Sequence, residues 1–420
     1  MGPLREVSLL FLKLGCTAFG GPPVHVAMMR REVVDRRRWL SDQAFLDLIG
    51  ATNLIPGPNS TEMAIHLGYL RAGAPGLVAA GTCFIVPPML MVLCAAWAYT
   101  RYGSLPAMDG LLYGVKPVVV ALVLQALWNL GRKGLANPAP ALLGAAALAA
   151  YLAGLNEIGI LAAGGALGWA ARPKGFPPAG SSGASSPGSD SPGASSSGAG
   201  SSGAASPRAI PFVATSVGMT SVGAPSSVVG SAVAATALPG AAAFPSVPVG
   251  ILFLKFLKIG AVLYGSGYIL LPFLKAAFCG PHGPLTEAQI LDAVAVGQVT
   301  PGPFFTTATF IGYLLGGVSG GLLATLGIFL PAFVFVALTN PWIPRLRASR
   351  ALGRLLDGVN AASLGLMAGA AWELGRAAVT DWTTAGLGAG ALLLLLRNTS
   401  STWLIASGGL IGIAARLITF

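Results

Sequence analysis

Apolar runs separated by short polar clusters cover most of the chain. The first run, at about 7–29, is interrupted in its middle by Phe19-Gly20-Gly21-Pro22. A short amphipathic run follows at about 42–54, opened by Ser41-Asp42, which suit a helix N-cap and first turn. Pro56-Gly57-Pro58 then breaks the chain before a second short apolar run at 59–70. Each short run falls below the roughly 20 residues a helix needs to cross a bilayer. The pair fits two half-helices that enter and leave one membrane face. Full spans are expected at about 74–100 and 107–130, with two shorter ones between 136 and 171.

The same order of runs then returns. An apolar run at about 249–277 is broken at Tyr264-Gly265-Ser266-Gly267, and an amphipathic run at 287–299 is opened by Thr286-Glu287. Pro301-Gly302-Pro303 precedes a run at 304–315, and further spans are expected at about 318–340, 355–377, 383–397 and 402–418. Phe11-Leu12-Lys13-Leu14-Gly15 matches Phe256-Leu257-Lys258-Ile259-Gly260 at a spacing of 245, and Asp47 meets Asp292 in the same register. After a one-residue slip, Gly68-Tyr69-Leu70 matches Gly312-Tyr313-Leu314. Chance hydrophobic likeness does not align a lysine, an aspartate and a Pro-Gly-Pro, so the chain is an internal duplication. The copies occupy 1–171 and 249–420. Between them, 172–248 is dominated by Gly, Ser, Ala and Pro, a composition that buries too little apolar surface to offset ordering and is expected to be a disordered cytoplasmic linker.

Composition sets the class. Hydrophobic residues make up 54% of the chain and charged residues 9%, against about a quarter charged in globular proteins. The mean hydropathy is +0.74. So few charges cannot coat a soluble protein of this size, and an all-α polytopic membrane protein in the cytoplasmic membrane is expected, without a cleaved signal peptide. The excess of 25 Lys+Arg over 14 Asp+Glu, a net +11, is scattered between apolar runs. That scatter argues against nucleic acid as a partner and toward cytoplasmic loops or an anionic solute. The four cysteines and three histidines form no metal-binding or disulfide pattern. No phosphate-binding P-loop, catalytic triad or dinucleotide fingerprint is present, so neither an enzyme nor a bound cofactor is indicated.

Charge placement also carries topology. Arg30, Arg31, Arg36, Arg37 and Arg38 crowd the loop after the first run, whereas the equivalent loop near 279–285 has no Lys or Arg. Equivalent loops therefore prefer opposite sides, and five spans per copy would invert the second copy. The expected architecture is an inverted-topology repeat with broken or re-entrant half-helices at the Pro-Gly-Pro motifs, a layout of many secondary transporters.

Lys13 and Lys258 stand at equivalent places inside apolar runs, where an ammonium is costly. They face a central anion, snorkel to an interface, or pair internally with Asp47 and Asp292. The breaks at Gly20, Gly21, Gly265, Ser266 and Gly267 let the backbone approach a ligand. Gly57 and Gly302 start new helices whose free N–H groups suit an anion. Asn59, Ser60 and Thr61, with Thr306 and Thr307, add polar donors. His25, Glu62, His66, Asp47 and Asp292 are candidates for proton coupling or for structural hydrogen bonds. Arg30–Arg38 would concentrate anions at the cytoplasmic mouth. Glu373 with Arg376 suits an i,i+3 pair.

These residues resemble the chromate ion transporter family in its long, two-domain form. The resemblance lies in FLKLGCTAFGGPPVH, RREVVDRRRWL and LIPGPNSTEMAIHLGY of the first copy, and in FLKIGAVLYGSGY and TPGPFFTTATFIGYLLGG of the second. It runs over about 5–134 and 250–340. Ser266 departs from it by standing where a third consecutive glycine is common, and the linker is unusually long. The resemblance implies efflux of chromate, a tetrahedral dianion that mimics sulfate, driven by the proton motive force and giving resistance. The residues themselves do not separate chromate from sulfate or another tetrahedral oxyanion, nor a carrier from a channel, and leave homo-oligomeric assembly open.

Overall fold

A computed structural model describes residues 2–19, 21–102, 106–134, 138–170, 244–264, 267–280, 283–339, 350–397, 399 and 401–419. The expected linker at 172–248 lies outside the described residues apart from 244–248, as do Gly20, Gly265 and Ser266. The described residues are helical or irregular, with no strand among them.

Each copy contributes seven helices among the described residues. In the first they are α1 (Pro3–Thr17), α2 (Pro22–Arg30, continued by a π turn, Arg31–Arg36), α3 (Asp42–Thr52), α4 (Asn59–Tyr102), α5 (Pro106–Gly134), α6 (Pro138–Leu152) and α7 (Glu157–Ala170). In the second they are α8 (Val249–Val262), α9 (Leu270–Phe278), α10 (Glu287–Val299), α11 (Thr307–Thr339), α12 (Arg350–Ala378), α13 (Trp382–Leu396) and α14 (Ser401–Thr419). Local chemistry sets several starts. Ser41 Oγ accepts the Ala44 N–H at the head of α3, and Thr286 and Gln289 form a reciprocal capping box at the head of α10. Gly21, at φ 81, turns the chain into Pro22, whose ring suits the first helical position.

α4 and α11 are each two limbs. Helical geometry fails at Ala72 (φ −141, ψ 20) and Gly73 (φ 65, ψ −153), and again at Gly316 (φ −150, ψ 18) and Gly317 (φ 62, ψ −155). Beyond the break the chain doubles back: Gly68 lies against the Gly76 carbonyl and Ala80, and Gly312 against the Gly320 carbonyl and Ala324. A side chain at any of these four glycines would push the limbs apart. The runs at 59–70 and 304–315 are thus distinct from the spans that follow them.

The copies exchange partners. α5 packs on α13 and α14 of the second copy, and α12 packs on α6 and α7 of the first. The contacts repeat in register: Gly114 meets Gly408, and Gly358 meets Gly164, each pair shifted by one repeat length. Reciprocal contacts of this kind are what a two-fold relation between two copies produces. Among the described residues, three helices, Asn59–Tyr102, Gly110–Arg132 and Phe304–Thr339, are long and apolar enough to cross a membrane. Large apolar side chains such as Leu142, Leu254, Trp403 and Leu410 face outward, as lipid-facing positions do. A polytopic membrane protein fits.

Candidate functional site

The two Pro-Gly-Pro loops meet the two broken helices of the opposite copy. Gly57 donates its N–H to the Leu263 carbonyl, and Gly302 donates to the Ala18 carbonyl, both at 2.8 Å. These are one interaction made twice, because 57 and 18 correspond to 302 and 263. Each bond joins a loop to the point where a helix of the other copy has come apart. The glycines are needed there: Gly302 sits at φ +92, and a Cβ on it would lie 2.7 Å from Pro88 Cγ. The amides of Gly57 and Gly302 are therefore engaged between the copies. Nearby donors turn to the same loops, with the Thr61 and Glu62 N–H groups bonding Pro58 O. Thr306 and Thr307 give their hydroxyl protons to Pro303 O and Phe304 O. Asn59 Nδ2 donates to Asn53 Oδ1 at 2.8 Å, Ser60 and Thr61 are buried, and Gly267 lies against Phe304.

His25 reaches the same junction. Its Nε2 is 2.9 Å from Ala18 O. A carbonyl only accepts, so Nε2 carries the hydrogen. Glu62 and His66 are fully buried one turn apart on α4.

The two lysines occupy separate neighbourhoods. Lys258 is exposed on α8, within electrostatic reach of Glu157. Lys13 is exposed on α1, and its Nζ lies 3.2 Å from Glu32 Oε1. Lys13, Leu14, Met28, Arg31, Glu32 and Arg36 line a cleft of about 220 Å³. Glu32 is held from three directions, by Lys13, by Arg36 at 2.8 Å and by Arg37 at 3.4 Å. Burial works to raise its pKa, but the hydrogen bonds of Lys13 and Arg37 and the charge of Arg36 outweigh it, leaving the carboxyl below the usual range. The cations of the cleft outnumber its one carboxylate, so it attracts anions. Arg30 is occupied with Asp42, its Nε 2.9 Å from Oδ1, and Arg38 takes the turn at φ 51.

Asp47 and Asp292 part company. Asp47 accepts from Gln43 Nε2 at 3.3 Å on a partly exposed face of α3. Asp292 is buried and joins Lys116 of α5 at 3.1 Å and the Tyr99 hydroxyl of α4 at 2.8 Å. Neither Lys116 nor Tyr99 was singled out by the sequence reading, although a lone lysine inside the apolar run at 107–130 was the available signal. Glu373, expected to pair with Arg376, instead joins Lys275 and accepts from Tyr151 at 2.8 Å. Tertiary packing brings a cation from α9 to that carboxylate and supplants the pairing within α12.

The sequence profile of the family described as Chromate transporter matches residues 5–169 and 250–413, one match per copy. The chain is 29% identical over 423 residues to the chromate transport protein of Cupriavidus metallidurans, covering 98% of this chain and 93% of that protein. It is 29% identical over 381 residues to the chromate transport protein of Pseudomonas aeruginosa, covering 87% of this chain and 80% of that protein. A shorter relative, the uncharacterized transporter YwrA of Bacillus subtilis, is 30% identical over 127 residues, 30% of this chain and 71% of its own. No solved structure matches the chain.

Proposed function

The chain belongs to the chromate transporter family, and from that premise we propose that it is a secondary transporter exporting chromate across the cytoplasmic membrane, driven by the proton motive force and giving resistance to chromate. The observation that carries the reading is the basic cleft at Lys13, Arg31 and Arg36, flanked by helices broken at the junction of two equivalent copies. A tetrahedral dianion suits a cleft whose cations exceed its acids, and broken helices that meet between repeats are where transporters of this architecture bind their solute. The copies are inverted in this reading, which follows from the basic loop after the first run and the lack of Lys and Arg in its equivalent. Moving one negative charge out of a negative interior gains about 2.3 kcal/mol per 100 mV, so a dianion gains roughly twice that. The potential alone thus favours export, and proton exchange adds to it.

The test is uptake of labelled chromate and sulfate into inverted vesicles, with and without a pH gradient. A carrier of the proposed kind accumulates chromate and gains from the gradient. Flux that follows the potential and ignores the gradient marks an anion channel, and equal handling of sulfate widens the substrate to tetrahedral dianions in general.

A further inference from the structure

Glu62 stands apart from the other acidic residues described above. It lies in the first turn of α4 with no exposed surface, and among the described residues neither carboxyl oxygen has a hydrogen-bond partner. Its Oε1 fills the space that a side chain on Gly57 would take. The loop bond from Gly57 to Leu263 draws Tyr264 of the second copy to the same place, within electrostatic reach of Glu62. The hydroxyls of Tyr264 and Thr61 are likewise buried without a partner. Among the described residues, Glu62 and Tyr264 therefore lie within electrostatic reach of each other, both unpaired, where the copies meet, with Thr61 next to Glu62 in α4. The other titratable groups around them are Asp357 of α12, within reach of Tyr264, and His66, one turn further along α4.

A carboxylate removed from water with no cation and no donor is strongly disfavoured, and such a group takes up a proton. We propose that Glu62 is the proton-carrying group of the transport cycle, neutral while the Gly57 loop is locked onto the second copy and ionised when that loop parts from it. This rests on the transport reading above. The step is a proton transfer to water: the carboxyl O–H bond breaks, the carboxylate keeps the electron pair, and the proton leaves as hydronium. Entering the locked state binds one proton and leaving it releases one, so the proton gradient biases the conformation. The equivalent position of the second copy is Thr307, whose hydroxyl is bonded to Phe304 O. The exchange group is thus present once per chain.

The experiment uses the full chain in proteoliposomes with a trapped pH indicator and labelled chromate. The wild type is expected to move protons with chromate, and Glu62→Gln to lose the proton movement and the response of chromate flux to a pH gradient. A Glu62→Gln protein with the wild-type ratio of protons to chromate overturns the proposal. If that variant is not produced or carries no chromate, labelling of the wild type by dicyclohexylcarbodiimide, read by peptide mass spectrometry, decides. Labelling at Glu62 that grows with acidity supports the proposal, and none at any pH overturns it. Wild-type protein that moves no chromate sinks the transport reading instead, and the labelling still reports on Glu62.

Discussion

The half-helices α3 and α10 stand at equivalent places in the two copies, open on equivalent caps and carry equivalent aspartates, yet α10 is buried far more completely than α3. Leu46 of α3 is 48% exposed, whereas its counterpart Leu291 is 1% exposed. Phe19, at the break of the first copy, is 42% exposed, against 6% for Tyr264. The ion pair joining the preceding helix to the half-helix exists in both copies, Arg30 with Asp42 and Lys275 with Glu287, but it is the more buried in the second. α10 lies against α5, α11 and α12, while the main packing of α3 is against α4. The caps and the Leu-Asp pair are shared, but the other positions of the two half-helices differ, and so does their packing. If the proposed transport cycle has two states, the unequal halves would be its two ends, with the opposite state docking α3 and releasing α10.

The largest expected effect tests whether the two aspartates really differ. Asp292→Ala leaves Lys116 without its buried partner and is expected to cost about 3–5 kcal/mol. Asp47→Ala, on a partly exposed face, should stay within about 0.5 kcal/mol. Thermal unfolding in detergent measures both, and equal losses would erase the contrast. A smaller loss is expected from Gly302→Ala, about 1–3 kcal/mol, because the new methyl group meets the Pro88 ring at a backbone angle that favours glycine. Unchanged unfolding there would show the inter-copy loop to be slack.

A third test reads the populations of the two states. The counterpart of Lys116 is Asn360 of α12, which is exposed. A cysteine pair replacing Lys116 and Asp292 is expected to be bridged readily by a bifunctional thiol reagent, and one replacing Asn360 and Asp47 only when α3 docks. Chromate or a pH gradient should shift the yields in opposite directions; yields that never trade off would contradict the two-ended cycle. The smallest effect concerns acid. Glu32 is held below its ordinary pKa of 4.5, so its contribution to stability is present at neutral pH and is lost as pH falls through the lowered value. Because Lys13 and Arg36 are more than half exposed, the loss should not exceed about 1 kcal/mol. Unfolding measured from pH 7 to about 3 in wild type and Glu32→Gln should converge at the acid end. The second copy has Ala277 at that place and gives no such signal.

Helix order and helix breaks were legible because they are written in local composition. Gly20-Gly21-Pro22 and the two Pro-Gly-Pro motifs stop helices wherever they stand, and the break at 72–73 falls between the expected runs at 59–70 and 74–100. The partners of charged side chains were not legible. Lys13 finds Glu32 nineteen residues on, across a turn, and Lys116 finds Asp292 in the other copy. Such pairs depend on how helices cross, which no run of apolar residues specifies.

By itself, the sequence determined the duplication, the membrane class and the positions of the breaks, since apolar length and the backbone limits of Gly and Pro act within a few residues. Only the tertiary structure decided that the copies trade helices, that each Pro-Gly-Pro amide is bound to the opposite break, and that the second half-helix is docked while the first is exposed. Those outcomes come from long-range packing between the two copies, set by how distant helices cross and not by any local run of residues.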